Sequence, residues 1–154
     1  MIFDDISEFA ETLAPMQPIL GLDLGEKTIG VAISDGILQA SNAMTTLKRK
    51  KFGVDAAALL EISHSRNATG IILGLPRNMD GSEGPRCQST RAFARNLSNL
   101  TDLPIAFWDE RLSTVAAERA LVEADLTRKR RKEIIDSVAA TYILQGALDR
   151  LRHL

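Results

Sequence analysis

Cysteine is nearly absent: among 154 residues there is one, Cys87. A lone thiol closes no internal disulfide and excludes a cysteine-rich zinc site. Histidine is almost as scarce, with only His64 and His153. No apolar run approaches the roughly 20 residues that cross a bilayer, so no membrane partner is expected. The opening stretch "MIFDDISEFAETLAP" is acidic and lacks a basic segment followed by an apolar one. No secretory leader is expected there, and the cytoplasm is the expected compartment. There is no internal repeat and no low-complexity tract. Nor is there an excess of one charge: 19 Lys and Arg against 20 Asp and Glu leave a net charge of −1. The overall balance therefore does not announce a nucleic-acid binder.

What is present is ordinary for a globular domain, with 45% hydrophobic and 25% charged residues. The length fits one domain with a real core. We read residues 1–17 as an N-terminal extension and 18–154 as a single domain. Basic residues concentrate in two runs, "LKRKK" (Leu47 to Lys51) and "RKRRKE" (Arg128 to Glu133). Each run alone is as well explained by a solvated loop or helix end.

The extension contains "DDISEFAETL", a short amphipathic helix by its spacing of Ile6, Phe9 and Leu13, ended by Pro15 and Pro18. "ILGLDLG" and "TIGVAISD" read as strands in a hairpin, and "ASNAMTTL" as a third strand. "VDAAALLEISHSRNATG" has a helical pattern stopped at Gly70. "IILGLP" is a continuous apolar run, as in a strand covered on both faces. After the turn-rich "RNMDGSEGPR" come a helix in "CQSTRAFARNLSNL", a strand in "LPIAFWDE" and a helix in "STVAAERALVEADL", with Ser113 or Thr114 as its N-cap. A long helix from about Lys129 to Leu151 closes the chain. The order β-β-β-α-β-α-β-α-α predicts a mixed five-stranded sheet, an antiparallel meander extended by parallel strands, with helices on its faces.

Three acids stand out against this pattern. Asp23 interrupts the aliphatic first strand. Glu110 closes "PIAFWDE", with Asp109 beside it. Asp136 lies among Ile134, Ile135 and Val138 in the last helix, and its i+3, i+4 and i+7 neighbours are Ala139, Ala140 and Ile143. Plain pairings exist for each: Asp23 with Lys27, Glu110 with Arg111, Asp136 with Lys132. Taken together, two strand positions and one inward helix position allow the three acids to converge at one end of the sheet. Converging carboxylates repel unless a cation lies between them. With so few softer ligands, Mg²⁺ or Mn²⁺ is the natural partner, and two such ions serve in-line displacement at phosphorus. A strand would hold Asp23 rigidly enough to bridge them.

"GLDLGEKTIGVAISD", "ILGLPRNMDGSEGPRCQ", "DERLST" and "IDSVAATYILQ" resemble, in order, the motifs of the bacterial YqgF family. Its members are described as Holliday junction resolvases or as pre-16S rRNA nucleases. The resemblance spans about Ile19 to Leu151, and four ordered motifs make it specific. It implies an α/β ribonuclease-H-like fold. It implies a metal-dependent nuclease that matures the 5′ end of 16S ribosomal RNA, with junction-resolving activity on branched DNA as the alternative. Carried over motif by motif, the catalytic and metal-holding acids are Asp23, Glu110 and Asp136, the three already singled out, with Asp109 as an outer helper. Arg77, Asn78, Asp80, Gly81 and Ser82 of the signature loop, with Lys27 and Arg111, would contact substrate. Glu26 adds an acid where many relatives have a small residue.

The expected partner is nucleic acid, gripped through phosphates by the two basic runs. Trp108 is read as core rather than as a base-stacking surface. Ser34, Ser82, Ser113 and His64 are read as caps, turns or surface residues. Monomer and two-fold dimer both remain open. Two readings of other classes stand beside the nuclease. One is an ATP-binding module, since "GLDLGEKTIGVA" also resembles an actin-type phosphate loop, though the chain has room for only one such domain. The other is a non-catalytic assembly factor.

Overall fold

The computed structural model describes residues 1–112 and 128–154, the side chains of 128–137 excepted. The helix expected over 113–126, with its Ser113 or Thr114 cap, lies outside the described residues. In chain order the elements are β1 (Ile2–Phe3), α1 (Ile6–Glu11), β2 (Ile19–Leu24), β3 (Thr28–Ser34), β4 (Ser41–Lys48), α2 (Phe52–Ser65), β5 (Gly70–Leu75), α3 (Pro85–Ser98), β6 (Ile105–Asp109), a single 3-10 turn (Glu110–Leu112) and α4 (Arg128–Arg152).

The strands form one sheet in the order β1-β6-β5-β2-β3-β4. β2, β3 and β4 are the expected antiparallel meander, and β5, β6 and β1 add in parallel. The sheet therefore has six strands rather than five. The extra one is the edge pair Ile2 and Phe3, aligned with Ile105 and Ala106 of β6. Two residues are too short to carry a period, so only the partner strand reveals them.

Alternation along the buried strands sends side chains to two cores. On one face Leu20 and Leu22 of β2, Ile71, Leu73 and Leu75 of β5 and Phe107 of β6 pack under α2 and α3. Pro85 is pre-set for the first turn of α3. The burial of Cys87, Thr90, Ala94 and Leu97 then follows the helical period. On the other face Ile19, Ile72, Ala106 and Trp108 meet α4 through Ala139, Ala140, Ile143, Leu144, Ala147 and Leu148. Phe9 of α1 is fully buried in this second core. α4 runs against the direction of β2. Gln145 and Arg152 bind backbone groups at Ser41, Gln39 and Leu38, by the start of β4, so the N-terminal half of α4 leads back towards the C-terminal end of β2.

Candidate active site

Asp23 is 2% exposed, one residue from the end of β2, on the same face as Ile19 and Gly21. That is the face covered by α4. β5 lies alongside in parallel register, with Leu22 opposite Leu73, so the next step brings Asp23 beside Gly74. Gly74 in turn pairs with Trp108 of β6, two residues before Glu110. A Cβ at Gly74 would lie 2.8 Å from Glu110 Oε1 and would collide with Ile143 Cδ1. The Glu110 carboxylate therefore reaches back over β5 into space that a side chain at 74 would occupy. Asp23 and Glu110 flank one glycine, on one face, at the C-terminal end of the sheet.

The signature loop between β5 and α3 closes on itself. Asn78 N donates to Ser82 O and Gly81 N to Asn78 O, each at 2.9 Å. Ser82 donates to Asp80 Oδ1 through its amide (2.9 Å) and its hydroxyl (2.6 Å). These two bonds hold the Asp80 carboxyl below its ordinary range. Gly81 turns the chain at φ +88, where a side chain would be strained. Arg111 clamps the loop to β6, donating to the Met79 carbonyl at 3.3 Å and pairing with Asp109 Oδ2 at 2.7 Å. The guanidinium holds Asp109 below the usual carboxylate range. Asp109, read as an outer helper, is thus committed to Arg111. Arg77 pairs with Glu83 at 3.4 Å, and Glu83 binds Arg91 at 2.6 and 2.8 Å. Arg91 also reaches Asp4 of the extension at 2.9 Å and stacks over Phe107 at 4.8 Å. An ionic chain thus runs from residue 4 to the rim of the site. A cleft of about 420 Å³ opens there, lined by Arg77, Asn78, Met79, Arg86 and Glu110 among others.

Of the other residues singled out, Lys27 is exposed in the β2–β3 turn. Arg49 of the first basic run donates to Gly25 O at 2.7 Å and lies over Phe93. It is part of the turn's framework, while Lys48, Lys50 and Lys51 are exposed. Trp108 is 8% exposed and belongs to the core. Ser34 is buried, its hydroxyl accepting from Ile19 N at 2.8 Å. Asp136 and the second basic run fall within α4, and their side chains lie outside the described residues. The structure brings Asp23 and Glu110 together and places the signature loop at their rim. Among the described residues no three His, Cys, Asp or Glu stand close enough to hold a metal ion.

The family model for RuvX, described as Holliday junction resolvase, matches residues 17–150. The chain belongs to the RuvX family. RuvX and YqgF name the same family, so the resemblance drawn from the motifs stands. A relative in Ruegeria pomeroyi, named "Putative pre-16S rRNA nuclease", is 68% identical over 154 residues and is covered end to end by this chain. A relative in Paracoccus denitrificans under the same name is 65% identical, with 100% of this chain and 98% of the relative aligned. Among solved structures, T. thermophilus RuvC in complex with a Holliday junction substrate superposes with a TM-score of 0.54 at 12% identity, over 88% of this chain and 96% of that one. The yeast mitochondrial resolvase Ydc2 gives 0.50 at 12% identity, over 96% and 86%. At such identities the likeness is one of fold, and it shows the ribonuclease-H-like architecture with one more strand than expected.

In this RuvX chain the sequence reading passed over two determinants of the site. In sequence Gly74 reads as one more member of an apolar run, although a glycine inside a buried strand signals a close approach. The Asp4–Arg91–Glu83–Arg77 chain joins residues up to 87 apart and has no local signature.

Proposed function

We propose that this RuvX chain is a divalent-metal-dependent nuclease that hydrolyses phosphodiester bonds in the 5′ region of precursor 16S rRNA. The observation that carries this reading is the pairing of Asp23 and Glu110 across Gly74. Two carboxylates on one rigid sheet end offer hard oxygen donors, and the glycine leaves room between them. The other ligand types stand elsewhere: Cys87 is buried under the opposite face, His64 is exposed late in α2, and His153 follows α4. The donor set therefore fits Mg²⁺ or Mn²⁺ and not a softer metal.

Asp23 and Glu110, with Asp136 as the third acid, would hold the metal ions. Positions 136, 140 and 143 share a helix face, and Ala140 and Ile143 of that face pack on the sheet at Gly21 and Gly74. When bound, the metal pair supplies an activated water and stabilises the leaving oxygen. The chain itself supplies position. β2 holds Asp23 buried at the end of the sheet, and Arg111 ties the signature loop to β6 beside the cleft that Glu110 lines. Lys27 and the signature-loop residues Arg77, Asn78, Asp80, Gly81 and Ser82 line the approach. Precursor rRNA is preferred as substrate because relatives 65% and 68% identical, aligned over 98% and 100% of their length, carry that name. Branched DNA is the second reading, favoured by the family's own description.

The deciding experiment is cleavage of end-labelled precursor 16S rRNA and of a four-way DNA junction, with Mn²⁺ or Mg²⁺ and with chelator. Wild type should cut the rRNA only with metal. Asp23→Asn and Glu110→Gln should each lose more than about 100-fold in rate, beyond the 10–100-fold typical of residues that merely support metal ligands. Full cleavage by either variant would overturn the carboxylate mechanism. Cutting of the junction alone would establish the second reading instead.

A further inference from the structure

The arginines around the acid end of the sheet differ in what holds them. Arg111 is paired with Asp109, Arg77 with Glu83, and Arg91 with both Glu83 and Asp4. Arg49 is bound to the Gly25 carbonyl. Arg86, in the first turn of α3, is exposed, and among the described residues its guanidinium has no ion pair and no hydrogen bond. It also lines two clefts. One, of about 420 Å³, contains Arg77, Asn78 and Glu110. The other, of about 180 Å³, contains Leu24, Gly25, Glu26, Arg49 and Ser89. The first cleft includes Glu110, just past the end of β6, and the second is lined by Leu24 and Gly25 at the C-terminal end of β2. Arg86 stands between them.

We propose that Arg86 is a phosphate contact for a single nucleic-acid strand that crosses from one cleft to the other at the C-terminal end of the sheet, past Glu110. This rests on the nuclease reading above and deepens it by naming which side chain takes the backbone and where the strand runs. A guanidinium already bound to a carboxylate must break that pair before it can take a phosphate oxygen. An uncommitted one presents its fork of donors without that cost. Arg77 and Arg111, singled out from the motif as substrate contacts, act instead through the loop they brace, and Arg86 takes the phosphate. Glu26 in the second cleft has the opposite effect, since a carboxylate facing a phosphate repels it. A phosphate contact positions the strand without reading its bases, so the effect of Arg86 is independent of sequence.

The test is equilibrium binding of fluorescently labelled single-stranded RNAs of two unrelated sequences, over a salt series, with chelator present so that the probe stays intact. Wild type is compared with Arg86→Ala, Arg86→Lys and Arg95→Ala. Arg95 is an exposed arginine on the same helix that lines neither cleft, so it controls for the loss of one charge. Arg86→Ala should weaken binding of both RNAs equally. It should also make the slope of log K against log salt shallower by about 0.7, the value for one single-strand phosphate contact. Arg86→Lys should restore the slope, and Arg95→Ala should leave it at the wild-type value. An unchanged slope in Arg86→Ala, or an equal loss in Arg95→Ala, would overturn the assignment. Wild type that binds neither RNA would overturn the assignment, while the nuclease reading stands or falls on the cleavage assay. Cleavage that survives Asp23→Asn removes only the nuclease reading, because the binding assay needs no turnover.

Discussion

The two faces of the sheet are built from different materials. Under α2 and α3 the strands present Leu20, Leu22, Ile71, Leu73, Leu75 and Phe107, large side chains interleaved with Leu59, Phe93 and Leu97. Under α4 large residues such as Ile19, Ile72 and Trp108, met by Ile143, Leu144 and Leu148, are interspersed with small ones: Gly21, Gly74, Ala32 and Ala106, met by Ala139, Ala140, Gly146 and Ala147. The first face is a conventional core that keeps its helices at side-chain distance. The second lets a helix lie almost on the sheet backbone: a Cβ on Gly21 would be 2.6 Å from Leu144 Cβ, and one on Gly146 2.8 Å from Trp108 Nε1. Both paired acids are on that second, closely packed face. Small residues there let α4 lie close to the end of the sheet where Asp23 and Glu110 stand.

Four perturbations probe this contrast. The largest stability loss should come from Leu73→Ala on the bulky face, about 2–5 kcal/mol for a fully buried leucine, with kcat retained well below the melting temperature. Thermal melting and turnover measured on the same preparation check it, and a variant that melts normally but has lost turnover would break the division of labour. Gly21→Ala on the close face should cost about 1–3 kcal/mol, because the obstructing atom is the Cβ of Leu144 rather than a mobile tip. Here turnover should fall along with stability, since α4 must move away from the acids.

Gly74→Ala meets the far ends of Ile143 and Glu110, which can yield. Its stability cost should be smaller than that of Gly21→Ala, and its main effect a loss of turnover as the Glu110 carboxylate is displaced. Metal titration by calorimetry would show the same change as weaker binding. The smallest effect should come from acidification. Asp109 titrates below its ordinary value because of Arg111, so its contribution is fully present above the unfolded value of about 3.9. It is lost as pH falls through the lower folded value. In Arg111→Met that loss should begin at higher pH, seen by following the Asp109 carboxyl by NMR. An unchanged titration would mean that the clamp on the signature loop does not rest on this pair.

Much of the architecture was legible in the chain because it follows from local periods. The meander, the apolar β5, the helices of 52–65 and 85–98 and the long final helix each announce themselves by spacing, and the four ordered motifs pointed to the family. Asp23 was visible as a charge inside an aliphatic strand; Glu110 was read as closing the strand "PIAFWDE", and the structure places it one residue beyond, in the 3-10 turn. The edge strand at Ile2 was not, since its only reason for being extended is β6. Neither was the division among the arginines. Arg77, Arg86, Arg91 and Arg111 are alike as letters.

By itself, then, the sequence determined most of the strands and helices, the family the chain belongs to, and which acids stand out against their apolar surroundings, because period and composition act over a few residues. Only the tertiary structure decided that Gly74 opens the space Glu110 enters, that residue 4 braces the rim of the site through Arg91 and Glu83, and that Arg86 alone among the rim arginines is uncommitted among the described residues. Those outcomes depend on which distant side chain arrives first at a charge or a vacancy, and no local rule encodes that.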